Sequence, residues 1–577
     1  MKRILLFCHY NKFNLLSEYI IYWLKELKPL FEKIVFISNS PIPKDKIGIL
    51  KEYVNDIIER ENKGFDFGAW KDAILEEGWE YLGKYDSITL MNDTCFGPLF
   101  PLEKVYEQME EKDIDFWGMT AHNQTKKGMP GTNGPIPFHI QSYFMVFNRS
   151  VVKSDIFKSF WENVKYYKDV NRVIQEYETQ LTKILSKNFK FSTYIKPLKD
   201  YKQDMTSILP DFLVEKGCPF IKIKAFTLYK NPRYLISLIN KLSKYPVDLI
   251  FKHINSIFQP DISLKVDNRL VIADEYKVSI EKVPVLKVAI HIHSFYLDIF
   301  EECLKRIKEN NILADLYITT DTDDKKREII ELIEKYGIKD LLKGVFVFPN
   351  RGRDILPWLK ISDRLEGYDI VGHFHTKKTS LAENSIGNNW RNQVFDCMID
   401  SFSIVSDMFY TNNNLGILIM DVPEVFLDAI FLEKLGSKNR SYLEKILERM
   451  KLKKQIDFNC IGKFPIFSYG TMFWYRPAAL KPLFDLKLKD EDFPPEPIPV
   501  DGTIAHAIER LPVYIAWATG YDFRIITTKD RVLSLFDVQK IFPADRKLFK
   551  LWLRGTLKKV PILYSIVFRL YSFFKKL

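Results

Sequence analysis

The chain has 577 residues, 46% of them apolar, and a net charge of +11. That length and apolar fraction exclude a disordered or low-complexity protein and predict a large packed core in more than one domain. Nine Lys or Arg and no acid fall between Arg546 and Leu577, so the rest of the chain is close to neutral and a nucleic-acid-type basic surface is not expected.

In chain order, "KRILLFCHYN" predicts a first buried strand, because its apolar run before His9 is too short for a signal-peptide core. "LSEYIIYWLKELKPLF" has helical spacing, "KIVFISNS" is a strand ending in small polar residues, and "ENKGFDFGAWKDAILEEGWEYL" is a turn that opens a helix. "YDSITLMNDT" is a further strand with a polar end. From "LKVAIHIHSF" onward the same order of elements returns: helix, strand "ADLYITTDTDD", helix, the turn "NRGRDILPW" and strand "YDIVGHFHTKKT". The landmark pairs Ile37/Thr319, Asn62/Asn350 and Tyr85/Tyr368 keep nearly constant offsets, which predicts an internal duplication.

Alternating strands and helices predict parallel sheets with helices on both faces, and ligands in such sheets sit at the carboxyl ends of strands. Ser38-Asn39-Ser40, Asn92-Asp93, Thr320-Asp321 and His375-Thr376-Lys377 all fall at that edge. The repeated turn reads Asn, a cation, Gly, any residue, Asp, with Trp four residues later. Gly64 and Gly352 permit positive φ. Asn62 and Asn350 can brace the turn. Asp66 and Asp354 stand where an N-cap would, yet capping explains neither the cation nor the Trp, so ligand contact is expected as well. His9, His291 and His293 are expected to be buried or to line the crevice rather than to bind metal. Six cysteines (Cys8, Cys95, Cys218, Cys303, Cys397, Cys460) stand singly with no CxxC pair, which argues against a zinc site or a disulfide framework and for a reducing compartment.

The stretches "NKGFDFGAWKDAI", "YDSITLMNDTCFGPLFPL", "DFWGMT", "NRGRDILPWL", "HTKKT" and "GTMFWYRPAALKPLF…PVDGTIAHAIERL" resemble the rhamnan synthesis protein F family over about residues 1 to 540. Each half is also similar to a degenerate GT-A glycosyltransferase. The resemblance implies an α/β fold of two tandem GT-A-like, nucleotide-diphospho-sugar transferase domains. These are residues 1–225 and 285–545, with a helical linker at 226–284 and a basic amphipathic tail at 546–577. It implies an inverting, rhamnosyltransferase-like enzyme, one- or two-headed, using a nucleotide-sugar donor such as dTDP-rhamnose and a lipid-linked cell-surface glycan acceptor. A glycan-binding or scaffold protein of the same machinery is the alternative.

In the first half the resemblance makes Asn92 and Asp93 a contact for Mg²⁺ or Mn²⁺, Asn39, Asn62, Gly64 and Asp66 the donor-binding residues, and Glu178 the base. In the second half His375-Thr376 stands where Asn92-Asp93 would, so no metal is expected. Lys377 and Lys378, with Arg351 and Arg353, would neutralise a diphosphate directly. Asp321, Asn350, Asp354 and His375 complete that donor site, and Asp501 is its base. Pro561 and the arginine at 569 interrupt the tail below the length of a membrane span. Its cations interleaved with aromatics suit a helix lying on the inner face of the plasma membrane, which places the protein in the cytoplasm as a peripheral protein.

Overall fold

The computed structural model describes residues 1–126, 128, 134–279, 286–376, 384–422, 439–457, 466–499 and 501–535. The tail at 546–577 and the pair Lys377-Lys378 lie outside the described residues. The chain forms two compact units, Met1–Asn268 with Lys453–Gly462, and Arg269–Leu452 with Lys463–Leu577. Among the described residues no helix is long and apolar enough to cross a membrane.

Among the described residues the main sheet of the first unit has seven strands: β1 (Arg3–His9), β2 (Lys33–Ser38), β3 (Asp56–Glu59), β4 (Ser87–Asn92), β5 (Phe116–Gly118), β6 (Phe144–Asn148) and β7 (Phe191–Thr193). Their order in the sheet is β7-β5-β6-β4-β1-β2-β3. β1 pairs in parallel with β2 and β4, and β2 with β3. The near-continuous apolar runs of β1, β2 and β4 are those of strands covered on both faces. The two-residue alternation sorts them: Leu5 and Phe7 enter one apolar layer with Trp23 and Phe36, while Ile4, Leu6 and Cys8 enter the other with Val35, Trp70 and Leu90. β6 departs from the expected all-parallel arrangement, running antiparallel to both β4 and β5.

Helices α1 (Glu18–Leu27), α2 (Phe65–Glu77), α3 (Thr179–Leu185), α4 (Pro232–Leu242) and α5 (Asp248–Ile257) cover this sheet. The segment from residue 226, read from sequence as a joint, contributes to the first unit's core through Leu235, Ile239, Ile250 and Ile254. α4 starts there for local reasons: Asn231 accepts a hydrogen bond from the Tyr234 N–H, and Pro232 occupies the first helical position, where no N–H is needed.

Among the described residues the second unit has eight strands: β8 (Leu270–Ile272), β9 (Val288–His293), β10 (Asp315–Thr320), β11 (Leu342–Val347), β12 (Ile370–His375), β13 (Leu415–Met420), β14 (Phe473–Tyr475) and β15 (Asp522–Thr527). Their order is β8-β15-β13-β14-β12-β9-β10-β11. With the edge strand β8 set aside, this order matches the first sheet strand for strand. The correspondence includes the one reversed member, β14, which is antiparallel to β12 and β13. Both units are mixed α/β with parallel-dominated sheets.

Candidate active site

At the carboxyl edge of the first sheet, Cys8 lies level with Ile37 and Asn92, and His9 with Ser38. The ladder runs one residue further on each side: the Asn39 N–H donates to the His9 carbonyl and the Asp93 N–H to that of Cys8. Asn39, Asn92 and Asp93 therefore flank the end of β1, as the strand endings predicted.

The turn before α2 brings Asp66 to the same place. Gly64 and Phe65 have φ of 73° and 54°, both left-handed. A Cβ on Gly64 would meet the Cα atoms of Gly68 and Tyr166 at 3.2 Å, and one on Gly68 would meet the Lys63 carbonyl oxygen at 2.2 Å. Only glycine lets the backbone close so tightly there. The helix N-cap is Gly64 rather than Asp66. The Trp four residues after Asp66 is the anchor: Trp70 is fully buried and its indole N–H donates to the Met91 carbonyl at 3.3 Å, tying α2 to β4. Asp66 thereby faces Asn92, whose Nδ2 donates to its Oδ2 at 2.9 Å. Asn39 braces the turn, donating to Asn62 Oδ1 at 3.2 Å and to the Phe65 carbonyl at 3.0 Å. The turn's own cation, Lys63, is exposed and pairs with Glu61 at 2.5 Å. Arg60 does the bracing instead, donating to Asn39 Oδ1 at 2.6 Å, Asp72 at 2.7 Å and the Lys63 carbonyl at 2.8 Å.

Burial dominates the electrostatics. It pushes Asp93 up to about 7 against the Tyr10 N–H that donates to its Oδ2 at 3.0 Å. Burial, then the charge of Glu178, pushes Asp66 up to about 6 against the hydrogen bond from Asn92. Burial lowers His9 to about 4, so its ring is neutral near pH 7. Asp93, Asp66 and His9 line a cavity of about 550 Å³, with His253 of α5 and Phe258 just past its end on one wall and Lys222 on another; Glu178 is not among the lining residues. That volume lies within the range of small-molecule sites.

Glu178 ends a π-helical turn, Ile174–Glu178, that runs into α3. Its Oε1 accepts from the Ser142 N–H at 2.9 Å and the Ser142 hydroxyl at 3.0 Å, so the carboxylate is held in one orientation. Such π-turns recur at functional positions.

The donor set for a divalent ion is sparse. Asn92 Oδ1 already accepts from Thr94 Oγ1 at 2.6 Å and its Nδ2 serves Asp66, which leaves Asp93 as the hard oxygen ligand of the expected pair. Among the described residues no group of three or more His, Cys, Asp or Glu could hold a metal ion. The residues present fit an ion shared with a diphosphate and do not make a protein cage.

The second unit keeps the frame and changes the partners. Gly352 has φ of 68° and Asp354 precedes α6 (Ile355–Lys360). Trp358 is buried, donates to the Tyr475 hydroxyl at 2.9 Å and stacks on His373 at 4.7 Å. Asp354 Oδ2 sits 3.7 Å from His373 Nε2, too long for a hydrogen bond. Burial works to raise the Asp354 carboxyl, but His375, His373 and His293 outweigh it and hold it well below the usual range. Burial lowers His293 to about 4 and His291 well below its ordinary value. Thr376 takes the place of Asp93: its N–H donates to the His293 carbonyl, and its hydroxyl accepts from the Phe295 and Tyr296 N–H groups at 2.8 Å. His375 hydrogen-bonds the Gly470 carbonyl, at a turn where Gly470 and Thr471 are both left-handed.

The other residues expected in this half are engaged elsewhere. Asn350 is exposed. Arg351 donates to the Phe493 carbonyl at 2.7 Å, and Arg353 lies 3.5 Å from Glu496. Asp321 pairs with Lys325 at 2.7 Å. Asp501 Oδ1 accepts from Asn439 at 2.8 Å and Arg510 at 3.0 Å.

Comparison with known proteins adds relatives. The protein WxcX of Xanthomonas campestris pv. campestris (strain B100) is 32% identical over 248 residues, covering 42% of this chain and 33% of that protein. The protein y4gN of Sinorhizobium fredii (strain NBRC 101917 / NGR234) is 31% identical over 150 residues, 26% of this chain and 37% of its own. Virulence protein VirA of Vibrio anguillarum is 29% identical over 175 residues, 29% of this chain and 50% of its own. The chain thus spans between a third and a half of the length of these curated relatives. Among solved structures, the apo-form glycosyltransferase GlyE of Streptococcus pneumoniae TIGR4 matches at 10% identity and a TM-score of 0.22, covering 66% of this chain and 86% of that one. The mannosyltransferase Ktr4p of S. cerevisiae matches at 9% identity and a TM-score of 0.18, covering 28% and 59%. The family model for rhamnan synthesis protein F matches residues 34–521, and the chain belongs to that family.

Proposed function

We propose that the chain is an inverting glycosyltransferase of the GT-A type and that its first unit carries the chemistry. The donor is a nucleotide-activated sugar, rhamnose or a related one, with dTDP-rhamnose the first to try. The acceptor is a lipid-linked cell-surface glycan of the rhamnan or O-antigen kind. The observation that carries the reading is the Asp66–Asn92–Asp93 group at the carboxyl edge of the sheet, inside the cavity and within the field of the fixed Glu178.

The acceptor hydroxyl attacks the anomeric carbon and gives its proton to Glu178. The bond from that carbon to the diphosphate oxygen breaks, and the diphosphate leaves with the electron pair. One displacement inverts the centre. Asn39, Asn62 and Asp66 offer hydrogen bonds to hydroxyls of the donor. A divalent ion at this edge would take Asp93 as its protein ligand and would supply positive charge to the diphosphate. The matching strand orders support the duplication, and with it a second transfer site or a glycan-gripping one in the second unit. The basic tail at 546–577 supports a peripheral position on the inner face of the plasma membrane.

The test is transfer of labelled sugar from a panel of sugar nucleotides to a lipid-linked acceptor by the full chain, beside Glu178→Gln and Asp66→Ala. Transfer by wild type and its loss in both variants is expected. Normal transfer by both variants would remove the chemistry from this unit. Glycan binding with no turnover of any donor would make the protein a scaffold.

A further inference from the structure

Lys222 sits on a two-residue strand, Ile221–Lys222, antiparallel to Cys95–Phe96 and in register with Cys95. That pairing carries a residue 130 positions downstream to the edge formed by Asn92 and Asp93. Its Nζ donates to Thr94 Oγ1 at 3.3 Å and lies 4.9 Å from the Tyr143 ring centroid. Thr94 Oγ1 donates to Asn92 Oδ1 at 2.6 Å, and Asn92 Nδ2 donates to Asp66 Oδ2 at 2.9 Å. An unbroken chain of hydrogen bonds thus runs from the ammonium to the carboxyl.

Lys222 lines the cavity and forms no ion pair among the described residues. The other cations are placed differently. Arg60 is spent on Asn39, Asp72 and Lys63, while Lys12 and Lys224 are exposed. Among the carboxyls of this edge, Asp93 takes the Tyr10 N–H and Asp66 takes Asn92, so neither touches the ammonium directly. Asp66 and Asp204 both feel this half-buried positive charge, yet among the described residues no carboxylate is in ion-pair contact with it. A diphosphate is a ligand of that complement, and a lysine serves it as a point charge.

We infer that Lys222 is a fixed cation for the diphosphate of the donor in the first unit, so that this unit holds nucleoside diphosphates whether or not a divalent ion joins Asp93. This rests on the sugar-nucleotide reading above. It also brings the upstream site close to the side-chain charge compensation that the sequence led one to expect only downstream.

The test is calorimetric binding of dTDP, UDP and GDP to the full chain in EDTA and in Mg²⁺, with the corresponding nucleosides as probes that lack the diphosphate. A preferred diphosphate should bind wild type in both. Lys222→Met should weaken it on the order of tenfold to a hundredfold while leaving the nucleoside unchanged, and Lys222→Arg should restore most of the loss. A diphosphate that binds Lys222→Met as it binds wild type, or that binds wild type only with Mg²⁺, overturns the inference and leaves the transfer reading standing. Absence of binding by any nucleoside diphosphate in either condition overturns both.

Discussion

Asp93→Asn should make the ligand-free protein more stable in mild alkali. The ordinary Asp value is 3.8 and the folded one is raised to about 7, chiefly by burial. A carboxyl raised in the folded state favours the protonated form. Its stabilising effect is complete below the unfolded value and is lost as pH climbs through the folded one. Integrating the proton uptake between pH 5 and pH 8 gives a loss of about 2.5 kcal/mol from this residue alone. The figure is a ceiling, because 15% of the side chain is exposed. Asparagine keeps a carbonyl to accept the Tyr10 N–H and carries no charge, so it escapes the loss. The assay is thermal unfolding of both proteins in EDTA at the two pH values. The variant's advantage over wild type should widen by up to about 5–10 °C on going to pH 8, at about 2–4 °C per kcal/mol. An advantage that stays constant between the two pH values would show that Asp93 carries no buried charge, and the electrostatic account of the site would fall with it.

Glu178→Gln keeps an acceptor for the Ser142 donors but cannot take a proton, so kcat should fall about 10²- to 10⁴-fold with the donor KM little changed. An equal loss in KM would mean Glu178 binds rather than catalyses. Gly64→Ala places a Cβ at left-handed φ and 3.2 Å from the Tyr166 Cα, and should cost about 1–2 kcal/mol of stability in a urea melt. No measurable cost would mean the turn relaxes freely and does not fix Asp66. In the second unit the sign reverses. His293 is lowered to about 4 from 6.5, so stability is lost as pH falls through that window, by at most about 3 kcal/mol. His293→Asn should flatten the acid side of the thermal-midpoint profile, and an unchanged profile would refute a neutral buried ring there.

The frame was legible in the sequence because its signals are local. Apolar runs that end in small polar residues, and glycines where only left-handed backbone serves, carry their meaning within a few positions. They placed Asn39, Asn92, Asp93 and Asp66 at one edge. What escaped is set by pairing between distant segments. Lys222 comes to the site through a two-residue strand with no periodicity of its own. Arg60 precedes the turn by two residues, and the cation that looked meaningful, Lys63, points to solvent beside Glu61. The basic, aromatic stretch after residue 226 gave no sign that α5 would supply a cavity wall with His253. Charge and place in the repeated turn point Arg351 and Arg353 toward a phosphate, and the sequence carries no sign that segment 493–496 engages both.

The two sheets separate what the repeated turn does from what its aspartate does. In each unit a left-handed glycine closes the turn, a buried Trp ties the following helix to the sheet, and an aspartate is delivered beside a strand end. That much is scaffold, and it is the same in both. The group waiting at the strand end differs: Asn92 hydrogen-bonds Asp66, whereas His373 and His375 face Asp354 and keep it ionised. The upstream aspartates are raised to about 6 and about 7, so an arriving diphosphate meets carboxyls that can take up a proton near neutrality. The downstream aspartate stays ionised beside its histidine neighbours. A copied backbone therefore does not imply a copied reaction. Substitutions at Trp70 or Trp358 should register in folding, whereas those at Asn92 or His375 should register in what each edge binds.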